Sequence, residues 1–133
     1  MRRIAALVVV CLAGIAAYAQ DPVKVDPKHY KVVFENDKVR ILDIKYGSKE
    51  KSVMHEHPAS VVIFLTDGQT KFTMPDGKTE ISTGKAGQSQ AMAAGKHMPE
   101  NVSDKPLEVI QVEFKGKTAP PPPPPAKKAP PKK

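Results

Sequence analysis

Met54-His55-Glu56-His57-Pro58 places two imidazoles two residues apart. The stretch ends a run, Val53 to His57, that reads as β-strand, and in a strand the side chains at i and i+2 leave the same face. His55 and His57 therefore point one way and Glu56 the other. Two neutral imidazoles on one face can share a metal ion at about 2.0–2.1 Å each. The plainer reading of the same residues is a half-buried strand with two solvated histidines.

On either side of this stretch the chain is short apolar runs punctuated by turn residues. Tyr30 to Phe34 and Val39 to Tyr46 are joined by Asn36-Asp37, and Gly47-Ser48-Lys49-Glu50 breaks the chain before the histidines. Val61 to Leu65 is rich in β-branched residues. Asp67-Gly68 and Pro75-Asp76-Gly77-Lys78 are hairpin signals, the second flanked by Phe72 to Met74 and Glu80 to Thr83. Ser89 to Met92 comes after Gly84 and Gly87. Gly95 precedes a third histidine, His97, and Pro99 then interrupts the chain. Leu107 to Phe114 alternates, with Glu108, Ile110, Val112 and Phe114 sharing one face. No helical periodicity is sustained anywhere in this section. Many short strands at close spacing predict an all-β sandwich or barrel, a single domain over residues 26–117. Its sheet edges call for cover, which a homodimer would provide.

The two ends of the chain differ from this middle. Met1-Arg2-Arg3 is basic, Ile4 to Ala19 is uncharged and apolar, and Ala17-Tyr18-Ala19 has the small-x-small form of a signal peptidase site before Gln20. The apolar run is shorter than the roughly 20 residues a spanning helix needs. Residues 1–19 are therefore expected to be a cleaved signal peptide, and the protein to be exported, periplasmic or extracellular. Cys11, the single cysteine, lies inside that segment, so disulfides cannot hold the exported chain together. At the other end, residues 118–133 contain the run Pro120 to Pro125 and then Lys127, Lys128, Lys132 and Lys133. Proline has no N–H and a fixed φ, so this tail cannot join a sheet or helix. It is expected to be disordered with polyproline II character, either a solubilising end or a tether to an anionic envelope surface. The formal charge of the chain is +7, and six positive charges sit on Arg2, Arg3 and the four tail lysines. The folded part is then near neutral, which argues against nucleic-acid binding through a basic face.

With His97 included, the sequence resembles the cupin family of small jelly-roll β-barrels. The first motif of that family runs Gly, His-x-His, Glu, Gly, and this chain offers Gly47, His55, His57 and Gly68. The second runs Gly, Pro-x-Gly, His, Asn, and this chain offers Gly87, Gly95, His97 and Asn101. Val61 stands where the family has its metal-binding Glu, Ala93 where it usually has Pro, and one residue fewer separates Gly95 from His97. The resemblance implies that His55, His57 and His97 project into the barrel as ligands of a divalent metal (Fe, Mn, Zn, Ni or Cu). Thiol dioxygenases are similar in using three histidines without the carboxylate. Three neutral ligands leave the charge of the ion uncompensated, so such a site favours a small anionic molecule.

Other residues carry less. Gln90 and Met92 are assigned to the cavity wall as substrate-binding candidates, or else to core packing. Met54, Met74, Met92 and Met98 would suit copper, but methionine more often fills irregular cores. His29 is read as a surface residue, Lys96 as solvated, and Asn101 as tying down a loop. The pattern places no further titratable side chain inside to serve as a general base. Three functions stay open: a dioxygenase-like metal enzyme, a non-catalytic module that binds a small ligand, and an envelope-associated structural protein working through its tail.

Overall fold

The computed structural model describes residues 20–116; the predicted signal peptide (1–19) and Pro/Lys-rich tail (118–133) lie outside the described residues. Among the described residues one short helix, α1 (Pro22–Val25), precedes nine strands: β1 (Tyr30–Glu35), β2 (Val39–Tyr46), β3 (His55–His57), β4 (Ser60–Phe64), β5 (Gly68–Thr73), β6 (Thr79–Gly84), β7 (Ser89–Met92), β8 (Gly95–Asn101) and β9 (Leu107–Phe114). They form a five-stranded sheet in the order β1-β2-β9-β4-β7 and a four-stranded sheet in the order β3-β8-β5-β6. Every pairing is antiparallel. The all-β jelly-roll barrel expected from the sequence is the observed architecture.

Local chemistry explains most of the turns. Between β1 and β2 the Asn36 side chain accepts hydrogen bonds from the amides of Lys38 (2.8 Å) and Val39 (2.9 Å), an Asx turn that replaces the missing ladder. Between β5 and β6, Pro75 to Lys78 make a tight hairpin in which Gly77 has φ +84°, a conformation that costs only glycine nothing. Asp67-Gly68, by contrast, is not a hairpin. β4 pairs with β7 and β9, while β5 pairs with β6 and β8, so this turn carries the chain from one sheet to the other. Asp67 caps the neighbouring turn instead, accepting from the Ala86 amide and Lys85 Nζ, each at 2.9 Å.

α1 lies N-terminal to Asp26, where the sequence pattern starts the domain. Asp21 caps it by accepting from the Val23 amide at 3.0 Å, and Pro22 occupies the first turn, where its missing N–H costs nothing. The Gln20 carbonyl accepts from the Glu56 amide at 3.0 Å, clamping this segment on β3.

β9 is central in its sheet, and its burial alternates strictly. Leu107, Val109, Gln111 and Glu113 face inward, and Glu108, Ile110, Val112 and Phe114 face outward. The more apolar-looking parity in the sequence is therefore the outer one. Inward residues of β2, β4 and β9 build the core: Leu42, Ile44, Tyr46, Val62, Phe64, Leu107 and Val109, with Tyr30 of β1. Apolar burial fills one end of the barrel and leaves the polar inward residues, Gln111 and Glu113, at the other.

The two sheets approach closely beside Phe64. A Cβ added to Gly84 of β6 would stand 2.4 Å from three carbons of the Phe64 ring, which is buried at 4% exposure. Gly84→Ala is expected to destabilise the protein by about 1–3 kcal/mol through overpacking, read as a lower urea midpoint at unchanged m-value.

Candidate metal centre

β3 and β8 pair in a register that puts His55 opposite His97 and His57 opposite Gly95. Directly opposed residues share a face, and i/i+2 alternation puts His57 on that face too, so one pair of strands collects all three imidazoles. Their exposures are 0%, 3% and 9% for His55, His57 and His97. Ring centroids lie 4.8 Å (His55–His57), 5.2 Å (His55–His97) and 5.4 Å (His57–His97) apart, and one ring nitrogen from each lies within 4.8 Å of the other two. A tetrahedral ion at about 2.1 Å from each nitrogen would hold them about 3.4 Å apart, so the rings need to close by little more than an ångström. β8 itself is hidden in the sequence because Pro99 reads as a breaker. Here Pro99 sits opposite Phe72 in the ladder, and its carbonyl accepts from the Ser52 amide at 2.9 Å.

The ring orientations are set from behind. His57 Nδ1 lies 2.5 Å from Glu113 Oε1. Glu113 is 1% exposed; on β9 it stands opposite Arg40 of β2 and Ser60 of β4. Arg40 Nε donates to Glu113 Oε2 at 2.6 Å, and the same guanidinium donates to Asp21 Oδ2 at 2.7 Å. Burial pushes the Glu113 carboxyl up, but the bonds from His57 and Arg40 outweigh it and hold the group below its ordinary range. A carboxylate here can only accept, so His57 carries its proton on Nδ1 and turns Nε2 inward. His55 is set the same way by a backbone group: its Nδ1 donates to the Val53 carbonyl at 2.8 Å. His97 packs against the Phe72 ring with centroids 4.9 Å apart.

Behind His55 lies a cluster that sequence reasoning did not find. The Tyr30 hydroxyl is 3.1 Å from His55 Nε2 and 2.6 Å from the Tyr46 hydroxyl. Ser52 Oγ donates to Asp26, Asp26 accepts from His29 Nδ1 at 2.7 Å, and His29 Nε2 lies 3.1 Å from Glu50. His29 is thus not a surface residue: it is 5% exposed and stacked on Tyr46 with centroids 4.4 Å apart. Two carboxylates and an aromatic face satisfy it where water would otherwise be needed.

Alternation and register place the remaining predicted residues. The inward residues of β4 are Ser60, Val62 and Phe64, so Val62 rather than Val61 faces the cavity where a carboxylate would have to project, and Val61 points outward. Glu56 and Lys96 are cross-strand partners on the face away from the imidazoles, as alternation requires. Asn101, fully buried, ties down a loop by donating to the carbonyls of Gly47 (2.9 Å) and Lys105 (2.8 Å). Gln90 and Met92 do line the cavity, with His57, His97, Phe72 and Gln111 among its other walls. The room inside it for water-sized molecules is small, about 50 Å³. No lysine, arginine or carboxylate lines it among the described residues.

Solved structures share this arrangement of strands. A cupin domain from Bordetella pertussis Tohama I matches with a TM-score of 0.61 at 24% identity, covering 65% of this chain and 92% of that one. The chain has the cupin fold. Two further solved proteins align with the same cupin barrel. One, with a double-stranded β-helix domain, is from Klebsiella pneumoniae (TM-score 0.53, 17% identity, 68% of this chain and 78% of that one). The other is an RmlC-like cupin from Methanocaldococcus jannaschii (TM-score 0.53, 18% identity, 65% and 78%). No protein-family model matches the sequence, and neither does any curated protein.

Burial, with repulsion from His57, pushes the His55 imidazole down to about 4. Burial, with His57 and His55, pushes His97 down to about 3. Both rings are therefore neutral near pH 7, each with one nitrogen that carries a lone pair. In the unfolded chain they would titrate near 6.5. Between those values the unfolded state binds more protons, so stability falls as pH drops from about 6.5 toward 4. For metal-free protein a loss on the order of a few kcal/mol by pH 4 is expected in urea titrations. The decline should be shallower in His97→Leu, which has no proton to take up.

Proposed function

We propose that this barrel binds a divalent metal ion through His55, His57 and His97 and receives a small anionic molecule in the adjoining cavity. The observation that carries the reading is the pair of fixed tautomers: Glu113 and the Val53 carbonyl each occupy an Nδ1, so two Nε2 lone pairs are presented inward. Such pre-orientation of imidazoles is what a metal site needs and what a merely packed core does not. When bound, the ion supplies Lewis acidity and open coordination positions. The set Fe, Mn, Zn, Ni or Cu suits imidazole ligation.

What the chain's own residues do is separable from the ion. Val62, Phe64, Leu107 and Val109 keep water out of the cavity floor. Gln90 and Gln111, with Ser82 and Thr70, offer neutral polar contacts on the walls. A dioxygenase-like reaction on a small anion is the version with chemistry. The cavity lining without any lysine or carboxylate favours a second version, capture of the anion without turnover, because no charged side chain stands ready to move a proton. The Arg2-Arg3 start and the Ala17-Tyr18-Ala19 site support export, so either activity would operate outside the cytoplasm.

Protein purified after growth with mixed divalent ions is expected to contain close to one equivalent of metal, and His57→Ala to lose it. In Glu113→Gln one carboxylate oxygen becomes an NH2, so His57 and Arg40 cannot both keep an acceptor. Metal affinity is expected to fall about 10–100-fold, measured by competition with a chelator. Wild-type affinity in that variant would count against the site.

A further inference from the structure

The direction of each hydrogen bond around His55 can be worked out. The Val53 carbonyl only accepts, so His55 Nδ1 carries the ring proton at 2.8 Å. Nε2 then has a lone pair and no hydrogen. The Tyr30 hydroxyl, 3.1 Å away, must donate to it, and the Tyr30 oxygen in turn accepts from the Tyr46 hydroxyl at 2.6 Å. Tyr30 is 2% exposed and lines the cavity. Burial and the Tyr46 hydroxyl push its phenol well above the ordinary value, so it remains a donor.

His55 Nε2 is also the atom by which His55 would hold the metal, on the reading proposed above. One lone pair cannot serve both. Capture of an ion by His55 therefore takes that acceptor away: the Tyr30 and Tyr46 hydroxyls carry two protons and share one bond between them, so one buried hydroxyl proton is left to give. A buried donor without a partner is costly. A small anion held beside the ion restores the acceptor.

We propose that Tyr30 is a hydrogen-bond donor released by metal binding, which couples the ion to an anion in the cavity so that each tightens the other. The consequence is reciprocal, as any coupling between two sites must be. Without metal, Tyr30 is engaged by His55 and the cavity has little hold on an anion. Without an anion, the metal competes with Tyr30 for His55. Tyr30 thus selects ligands that accept a hydrogen bond over ligands of the same size that cannot.

The test titrates cobalt(II), whose visible spectrum reports ligation, into the wild-type protein, Tyr30→Phe and Tyr46→Phe, with and without saturating azide. Azide is a small anion whose terminal nitrogen accepts hydrogen bonds. Tyr30→Phe is expected to bind cobalt alone as tightly as wild type or more tightly, because the competing hydroxyl is gone. Its gain in cobalt affinity on adding azide is expected to be about tenfold smaller than that of wild type. Tyr46→Phe keeps the Tyr30 donor and should retain most of the gain, which separates loss of the donor from general damage to the pocket. An azide gain in Tyr30→Phe equal to wild type overturns the proposal. So does an equal loss in Tyr46→Phe. If wild-type protein takes up no cobalt before azide is added, the three-histidine reading itself fails, and the coupling falls with it.

Discussion

The hydrogen bond between His57 Nδ1 and Glu113, at 2.5 Å, is the constraint on which the site depends. It spans the two sheets, since His57 stands on β3 of one and Glu113 on β9 of the other. It requires Glu113 to stay ionised at 1% exposure, which burial alone would forbid. Arg40 makes that charge tolerable by donating to its second oxygen, and Asp21 holds Arg40 in place. The line Asp21–Arg40–Glu113–His57 therefore connects the N-cap of α1 to the centre of the barrel. Removing Arg40 would leave the buried Glu113 carboxylate without its counter-ion, and a broken buried pair is costly while an intact one gives little net stability. What such a line secures is orientation, and orientation is what a ligand set needs.

The same line explains how a barrel without an inward carboxylate at the β4 position still carries negative charge near its histidines. Val62 occupies the inward position on β4, and a carboxylate there would touch an ion directly. Glu113 stands one ring further out and acts through His57. A carboxylate hydrogen-bonded to Nδ1 raises the basicity of the opposite nitrogen without occupying a coordination position.

Much of this fold is legible in the sequence, because strand and turn chemistry are local. Asn36-Asp37 and Pro75 to Lys78 announce hairpins through side chains that bond their own backbone. The i/i+2 rule places His55 and His57 together before any tertiary contact is known. Asp67-Gly68 misleads because its hairpin propensity is real, but its Asp67 oxygens bond across to Lys85 and Ala86, 18 and 19 residues away, contacts that no local pattern contains. β8 is hidden by Pro99, whose missing N–H is tolerated in its ladder position. Glu113 and Tyr30 escape sequence reasoning on different grounds. The alternation of β9 reads equally well in either parity, and the outward set, Ile110, Val112 and Phe114, is the more apolar. The burial of Glu113 beside Arg40 and His57 shows which parity faces in. His29 reads as a surface residue because its two carboxylate partners, Asp26 and Glu50, are recognisable only once β1 and the Gly47–Glu50 turn lie side by side.

The charges along these networks bear on what the cavity prefers. Asp21, Arg40 and Glu113 together carry one net negative charge, and imidazoles that ligate an ion do so in their neutral form. On the proposed reading, a divalent ion would leave that line of residues at a net charge of about +1, with the buried Asp26 carboxylate behind His55 as further negative charge and cavity walls that supply none. In such surroundings the interaction between unit charges a few ångströms apart is several-fold stronger than in water. A small anion would offset whatever positive excess the ion leaves, and a neutral molecule would not. On that reading, a preference for a small anion would come from where the carboxylate sits, one hydrogen bond behind the ligands, as much as from the shape of the cavity.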